Sequence, residues 1–401
     1  MKAPARNRVL MLLENSTYPI DPRVRQEART LSEAGYQVSV ICPRMARQPW
    51  YESSNGISIF RYPPLRAQGF LGYVLEYSYS LIAMFILSLV VWAYSGFDVI
   101  HAANPPDSAV FIALFYKLFG KRFVFDHHDI APEMYRVRYS HKGSQLVYRV
   151  LIWLEKTSCR FADHVIAANQ SHKNVEMQRG HVPENQITIV RNGPALDCLN
   201  LVDPGACQGN REKVILGYIG VIGPQDGLDY LLRALQLLNT VLQRNDFSCI
   251  IIGEGSALAK IKMLAKQLDI LPYVSFTGFL PQMDALKRLS AVDICVDPDP
   301  SNIYNDHCTM IKLMEYMALG KPIVAFDLPE HHVTAGNAAL YAHPNEELDF
   351  ARQIMILMDD QQRREQMGKI GLKRVENELA WSYQARNLLD AYASVRNTSV
   401  I

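Results

Sequence analysis

Paired cysteines are missing from this chain. Its seven cysteines, Cys42, Cys159, Cys198, Cys207, Cys249, Cys295 and Cys308, form no C-x-x-C pair. An odd, scattered set, with Cys249 and Cys295 in strand-like runs, argues against a disulfide framework and for reduced, buried thiols in a cytosol. Excess charge of either sign is missing too. The formal net charge is +1, which removes bulk nucleic-acid binding and a strongly acidic partner from the classes to consider. A secretory leader is not expected, because the apolar run at 9–13 is too short and no small-residue cleavage site follows it. No G-x-G-x-x-G opens the first half, so a dinucleotide site is not expected. No H-E-x-x-H or cysteine partner accompanies His127 and His128, so no zinc site is expected. No carboxylate pair at glycosidase spacing stands out, which speaks against a hydrolase of that kind. The longest apolar run, 81–94, is about 14 residues, short of the roughly 20 that span a bilayer.

What is present is globular composition: 49% of the 401 residues are apolar and 20% charged, at a length that suits two domains. Residues 8–13 read as a buried parallel strand, 23–34 as a helix closed by Gly35, and 37–41 as the next strand. That unit opens a doubly wound α/β sheet. Further strands are expected at 97–102 and 122–126. Residues 162–168 read as the last strand of the first half, and 186–190 lead into the turn Arg191-Asn192-Gly193-Pro194. The Pro-, Gly- and Asp-rich segment 194–210 is the expected linker, which places the domains at 1–195 and 211–380. The second half repeats the pattern, with strands at 213–220, 247–252, 274–279, 293–298 and 323–326.

The densest signal lies at 309–324. Thr309 is expected to N-cap a helix that Gly320 stops and Pro322 keeps from resuming. The helix is apolar on nearly every side and should be buried, yet Lys312 and Glu315 share one of its faces. Buried charges are costly unless paired. Either these two pair with each other, or the lysine and the positive end of the helix dipole face a phosphate. In the first half, the stretch from Asp126 to Glu133 crowds titratable groups after the carboxyl end of a strand, where open α/β sheets bind ligands. His127 and His128 are adjacent, so at most one points into a given pocket and the other is a packing or surface residue. Asp21 and Arg23 can be read as an N-cap and a solvated first turn.

Residues 309–324 resemble the donor-binding helix of the family 4 retaining glycosyltransferases, in a bacterial surface-polysaccharide subgroup reading roughly S-P-x-K-L-x-E-Y-M-A-x-G-K-P-V. Lys312, Glu315, Tyr316, Met317, Gly320, Lys321 and Pro322 are in register. The stretches 21–28 (D-x-R-x-x-x-E-A) and 128–133 (H-D-x-x-P-E) are similar to further motifs of that family, and the resemblance is weakest over 45–96. It implies the GT-B architecture: two facing Rossmann-like doubly wound parallel-sheet domains with a cleft between them, and a last helix, 381–401, that packs back on the first. The implied reaction moves a sugar from a nucleotide diphosphate sugar to a hydroxyl with retention at the anomeric carbon. It uses no cofactor and no required metal, and the leaving diphosphate takes the acceptor's proton.

By the same resemblance His128 meets the donor sugar, Lys312 the diphosphate and Glu315 the ribose. Gly220 and Gly223 let backbone approach the phosphates, with Arg191 as a weaker counter-charge. Gly253 and Gly278 belong to the nucleotide side, and Thr309 and Met310 to the start of the donor helix. Asp21, Arg23, Asp129 and Glu133 fall on the acceptor side. Two departures stand out. Val221 and Asp226 occupy the Arg and Lys positions of the family's G-R-x-x-x-x-K-G loop. His307 takes the place of the first acid of its E-x7-E, so Asn305, Asp306 and His307 are expected to set sugar preference. Asp297-Pro298-Asp299 resembles the D-x-D metal motif of the other large glycosyltransferase fold, but its prolines and position fit a loop. A nucleotide-sugar epimerase on the same fold and a non-catalytic GT-B partner subunit stay open as alternatives.

Segment 70–94 has two readings: a buried domain helix, or a monotopic contact with the cytoplasmic face of the inner membrane. The second is suggested by its aromatic flanks (Phe70, Tyr73, Tyr77, Tyr79, Trp92, Tyr94) and by Arg61 and Arg66 just before it. It would bring the chain to a lipid-linked saccharide acceptor.

Overall fold

The computed structural model describes residues 8–65, 69–139, 143–194 and 213–397. The linker segment 195–210, Arg66 and the side chain of Phe70 lie outside the described residues. The chain divides into two compact units. One runs to Arg191 and resumes at Gln384; the other is Asn192–Tyr383.

Among the described residues the first unit builds an eight-stranded sheet. Its strands are β1 (Arg8–Leu12), β2 (Gln37–Pro43), β3 (Tyr51–Ser54), β4 (Ile57–Tyr62), β5 (Val99–Ala103), β6 (Arg122–His127), β7 (His164–Ala167) and β8 (Ile187–Ile189). The order is β3-β4-β2-β1-β5-β6-β7-β8, parallel apart from the edge hairpin β3–β4. Val9, Leu10, Met11 and Leu12 are all buried, as a parallel strand covered on both faces requires. The β3–β4 hairpin falls where no strand was legible, and the sheet ends at β8 rather than at the expected 162–168 strand. β1 lies between β2 and β5, so the connections after β1 and β5 leave in opposite directions. That divergence makes the crevice in which open sheets hold ligands.

The second unit is a six-stranded parallel sheet among the described residues. Its strands are β9 (Val214–Ile219), β10 (Phe247–Ile252), β11 (Val274–Gly278), β12 (Ile294–Asp297), β13 (Ile323–Phe326) and β14 (Ala339–Ala342), in the order β11-β10-β9-β12-β13-β14. The switch falls between β9 and β12. Leu216, Tyr218, Leu231, Leu235, Phe247, Ile294 and Val324 form its core with no exposure to solvent. Cys42, Cys159, Cys249, Cys295 and Cys308 are buried thiols outside any disulfide among the described residues.

The apolar run does not make a fully buried helix. Helix Gly69–Tyr94 is 26 residues long and passes straight through Glu76. Ser80, Met84, Ser88 and Val91 face the domain and are buried, with Ser88 sharing a hydrogen bond with Tyr116 Oη at 2.9 Å. The opposite face is open: Ile82, Ile86 and Val90 are 60%, 55% and 48% exposed. Gly72–Tyr94 is long and apolar enough to cross a membrane by length and composition.

The last helix, Trp381–Asn397, serves the first unit from Gln384 onward. Tyr392 is fully buried and its hydroxyl lies 2.9 Å from His101 Nδ1, while Asn387 Nδ2 donates to the Ile189 carbonyl at 3.1 Å.

Candidate functional site

In the second unit, the loops after β9, β10 and β11 are stitched side by side. Gly220 N–H donates to the Ile252 carbonyl (3.1 Å), Gly253 N–H to Gly278 (3.1 Å) and Ile222 N–H to Glu254 (2.9 Å). Gly253, with φ +143°, packs so closely that a side chain there would run into the Gly220 carbonyl. Gly220, Gly253 and Gly278 are thus neighbours at the carboxyl edge of the sheet. Within the 220–227 loop, Asp226 Oδ2 accepts from Gly223 N–H at 2.7 Å and Val221 is 66% exposed. The two residues that replace the family's cations therefore close the turn and face solvent.

Helix Ile311–Ala318 begins one residue later than the Thr309 cap requires. Met310 is the capping residue, and no side chain caps the helix. Thr309 instead donates to Glu330 Oε2 at 3.3 Å, a bond from loop to helix. The helix head consequently keeps N–H groups that no side-chain cap claims. Its end follows the sequence: Gly320 has φ +64°, and Lys321 N–H returns to the Tyr316 carbonyl at 3.0 Å. Tyr316 is buried and ties two strand ends together, donating to the Val296 carbonyl (3.2 Å) and accepting from Ile219 N–H (3.1 Å).

Lys312 and Glu315 do not pair with each other. Lys312 Nζ lies 2.9 Å from Asp297 Oδ1 and 2.7 Å from Asp299 Oδ1, and 5.0 Å from the centre of the Tyr218 ring. The Asp297-Pro298-Asp299 stretch is therefore no ordinary solvated loop: both carboxylates are buried and the cation between them is the lysine. Burial opposes the charge on Lys312, but the two carboxylates win and raise its pKa well above the usual value. Glu315 has no side-chain hydrogen bond or ion pair among the described residues, and burial lifts its carboxyl to about 7. His307 ends a short turn, Asn305–His307, half-buried beside Asp306, which accepts from Ser301 Oγ at 3.1 Å. Asn305 is buried and joins this loop to the 220–227 loop through Nδ2, bonded to the Gln225 carbonyl at 3.0 Å. It is a structural tie.

The first unit assembles its own cluster after β5 and β6. Arg23 is no solvated first-turn residue. It is 4% exposed, and its guanidinium grips Asp126 with Nη2–Oδ1 at 2.6 Å and Nε–Oδ2 at 2.8 Å while Nη1 donates to the Val190 carbonyl. Asp21 caps the helix Pro22–Glu33, accepting from Val24 N–H at 2.9 Å. His128 Nδ1 lies 3.0 Å from Asp126 Oδ2, which leaves Nε2 available to a substrate. Burial works against charge on His128, yet Asp126 raises its pKa. Asn104, buried, fixes the backbone on which His128 and Asp129 sit: Oδ1 accepts from both N–H groups (2.9 and 3.0 Å) and Nδ2 donates to the Asp129 carbonyl (2.6 Å). Glu133 is ion-paired to Arg179, with Nη2–Oε2 at 3.0 Å, and Arg179 also grips Glu155. His127 points the other way from His128, fully buried, with Nδ1 3.1 Å from Glu176 Oε1. Sequence reasoning missed Asn104 and Arg179 altogether and counted Asp126 among the titratable groups after the strand without giving it a role. Arg191 belongs to this unit, its N–H donating to Gln384 Oε1 at 3.0 Å.

Comparison with known proteins agrees with this geometry. Residues 20–193 match the family model described as glycosyl transferase 4-like domain, and 208–374 the model described as glycosyl transferases group 1. An uncharacterized glycosyltransferase of Methanocaldococcus jannaschii is 24% identical over 386 residues, covering 91% of each chain. Among solved structures, sucrose-phosphate synthase of Thermosynechococcus elongatus superposes with a TM-score of 0.78 at 18% identity, over 98% of this chain and 100% of that one. Anabaena HepE, solved in complex with UDP and glucose, gives a TM-score of 0.68 at 15% identity, over 97% and 100%.

Proposed function

We propose, for a chain that is a GT-B glycosyltransferase built of a glycosyl transferase 4-like domain followed by a glycosyl transferases group 1 domain, that it moves a hexosyl group from a nucleoside diphosphate sugar to a hydroxyl of a lipid-linked saccharide in surface-polysaccharide assembly, with retention at the anomeric carbon. One observation carries the donor side of this reading. Helix Ile311–Ala318 presents an N-terminus without a side-chain cap, a charged Lys312 and a Glu315 without a protein partner among the described residues, at the switch point of a parallel sheet. A diphosphate suits the first two, through N–H groups, dipole and full charge. A ribose diol suits the third. Anabaena HepE, whose complex holds UDP and glucose, supports a donor of this class.

The chemistry asked of the protein is then positioning and charge stabilisation. The departing phosphate oxygen takes the acceptor's proton as the new glycosidic bond forms on the same face. Gly220 and Gly223 keep the phosphate loop thin. His128, held by Asp126, offers Nε2 to the sugar. Arg23 acts through Asp126, and the pairing of Glu133 with Arg179 braces the acceptor-side helix Ala131–Tyr139. Asp306 and His307, half-buried beside the donor helix, set the choice of sugar. The lipid side of the proposal, a contact with the cytoplasmic surface of a membrane, is supported by the open apolar face of helix Gly69–Tyr94.

The test is a panel of nucleoside diphosphate sugars offered with a short-chain lipid diphosphate saccharide, read by NMR of the anomeric proton. A glycoside with the donor's own configuration is expected. An inverted product removes retention, and an epimerised donor without transfer returns the epimerase reading.

A further inference from the structure

The second unit buries two carboxylates against one ammonium. Asp297 closes β12, Asp299 follows through Pro298, and both are at most 1% exposed. One oxygen of each meets Lys312 Nζ. The second oxygens, Asp297 Oδ2 and Asp299 Oδ2, are buried without a hydrogen-bond partner among the described residues. The other groups around them bring no further positive charge. His331 Nε2 lies 3.5 Å from Asp297 Oδ2, but its Nδ1 is engaged with the Phe326 carbonyl at 2.9 Å, so a neutral ring turns a lone pair toward the carboxylate. Burial lowers the pKa of His331 and keeps it neutral. Tyr218 and Tyr316 are neutral phenols pushed upward by burial, and Asp226 adds negative charge from the 220–227 loop. One ammonium balances one carboxylate. A second bare carboxylate sealed from water costs more than holding a proton.

We propose that Asp297 and Asp299 are positioning residues for Lys312, with Asp297 as its ion-pair partner and Asp299 carrying a proton, so that the ammonium stays pinned at the helix head inside a cluster that is neutral toward a diphosphate. The assignment of the proton follows the surroundings. Asp297 faces Lys312 and also has the Asp299 N–H 3.5 Å from Oδ1. Asp299 has the lysine alone and two acids nearby. Burial, and then the Asp297 carboxylate, push the Asp299 carboxyl well above the usual range, whereas Lys312 holds Asp297 below it against burial. The inference rests on the reading of Lys312 as the phosphate-facing residue. It also accounts for a site that lacks the family's Arg and Lys at Val221 and Asp226: with fewer cations, an uncompensated carboxylate is less tolerable.

The experiment is calorimetric titration of the full chain with uridine, guanosine, adenosine and thymidine diphosphates between about pH 6.5 and 9.5, comparing wild type with Asp299→Asn. Loss of one proton turns the cluster negative, so wild-type affinity should fall at the alkaline end by up to about tenfold per pH unit. Asp299→Asn, neutral at every pH, should bind at least as tightly and without that fall. Parallel falls, or a flat wild type, overturn the inference while leaving the donor site standing. No binding of any nucleoside diphosphate by either protein overturns the donor site and this inference with it. A second reading needs no nucleotide. An acid whose pKa is raised on folding loses stability as pH rises through the folded value, so wild-type melting temperature should drop across the range more than that of Asp299→Asn. Coincident slopes speak against a proton on Asp299.

Discussion

Glu315 is the residue whose surroundings say most about its use. A half-buried carboxyl with no protein partner among the described residues is destabilised as an anion, which is why its pKa sits at about 7 rather than 4.5. Ribose hydroxyls donate about twice as strongly to the ionised carboxylate as to the neutral acid, and both oxygens then accept. Nucleoside diphosphate affinity should therefore rise through about pH 7 in the wild type and not in Glu315→Gln. The measure is the ratio of the two affinities at each pH, in which the ligand's own titration cancels; a ratio that stays constant from pH 6 to 8 counts against the ribose role. Lys312 makes the opposite case, since its partners are already present. Lys312→Ala should lower transfer by about a hundredfold or more, and it should also cost about 3–5 kcal/mol of stability, because it strands the Asp297 carboxylate in the interior. Adding Asp297→Asn should recover much of the stability and none of the transfer in urea unfolding and activity assays. These residues differ in how far the sequence announces them. Lys312 and Glu315 sit in one dense motif, and their spacing alone puts them on one helix face. That Lys312 pairs with Asp297 and not with Glu315 depends on where β12 ends relative to the helix, which no local pattern carries. Asn104 and Arg179 are harder still, for each acts on partners more than twenty residues away in the chain.

At the scale of elements, periodicity found most of the strands because parallel strands buried on both faces are nearly continuous apolar runs. It failed over 45–96. β3 alternates exposed and half-buried residues at a sheet edge, which reads as loop, and the long helix that follows is apolar without a polar stripe. The uninterrupted apolar run covers only 81–94, whereas the helix reaches back through Glu76 to Gly69. What the folded helix adds is its sidedness, with one edge closed on the sheet through Met84 and Val91 and the other open. An apolar side chain moved from water into an interface gains about 1.5–3 kcal/mol when fully buried. Ile82→Asp with Ile86→Asp, both at open positions, should leave the melting temperature within a few degrees of wild type and reduce co-sedimentation with vesicles by tenfold or more. Equal sedimentation of the variant and wild type would remove the membrane contact and leave the glycosyl transfer untouched.

At the scale of the whole molecule, the first unit is closed by residues that come after the second. Leu388, Ala391, Tyr392 and Val395 are all buried, and Tyr392 adds a hydroxyl against His101 and an edge-on contact with Tyr36 at 5.5 Å. His101 belongs to the ion cluster of the first unit, with Nε2 3.2 Å from Glu27, and that carboxylate raises its pKa to about 9 against the effect of burial. The helix from Gln384 onward thus covers both an apolar surface and a charged network that must stay dry. Four buried apolar side chains, at a transfer free energy of roughly 1–3 kcal/mol each, approach the whole stability of an ordinary domain. Ending the chain after Tyr383 should therefore unfold the first unit and spare the second. In calorimetry the intact chain should show both units melting, whereas the shortened one should keep only the transition of 213–383, along with its response to a nucleoside diphosphate. Tyr392→Phe is the mild form of the same change: it keeps the apolar contact, loses the bond to His101, and should lower the first-unit transition by about 1 kcal/mol of stability. A shortened chain that still shows both transitions would mean that the first unit holds its sheet and its buried charges without the last helix.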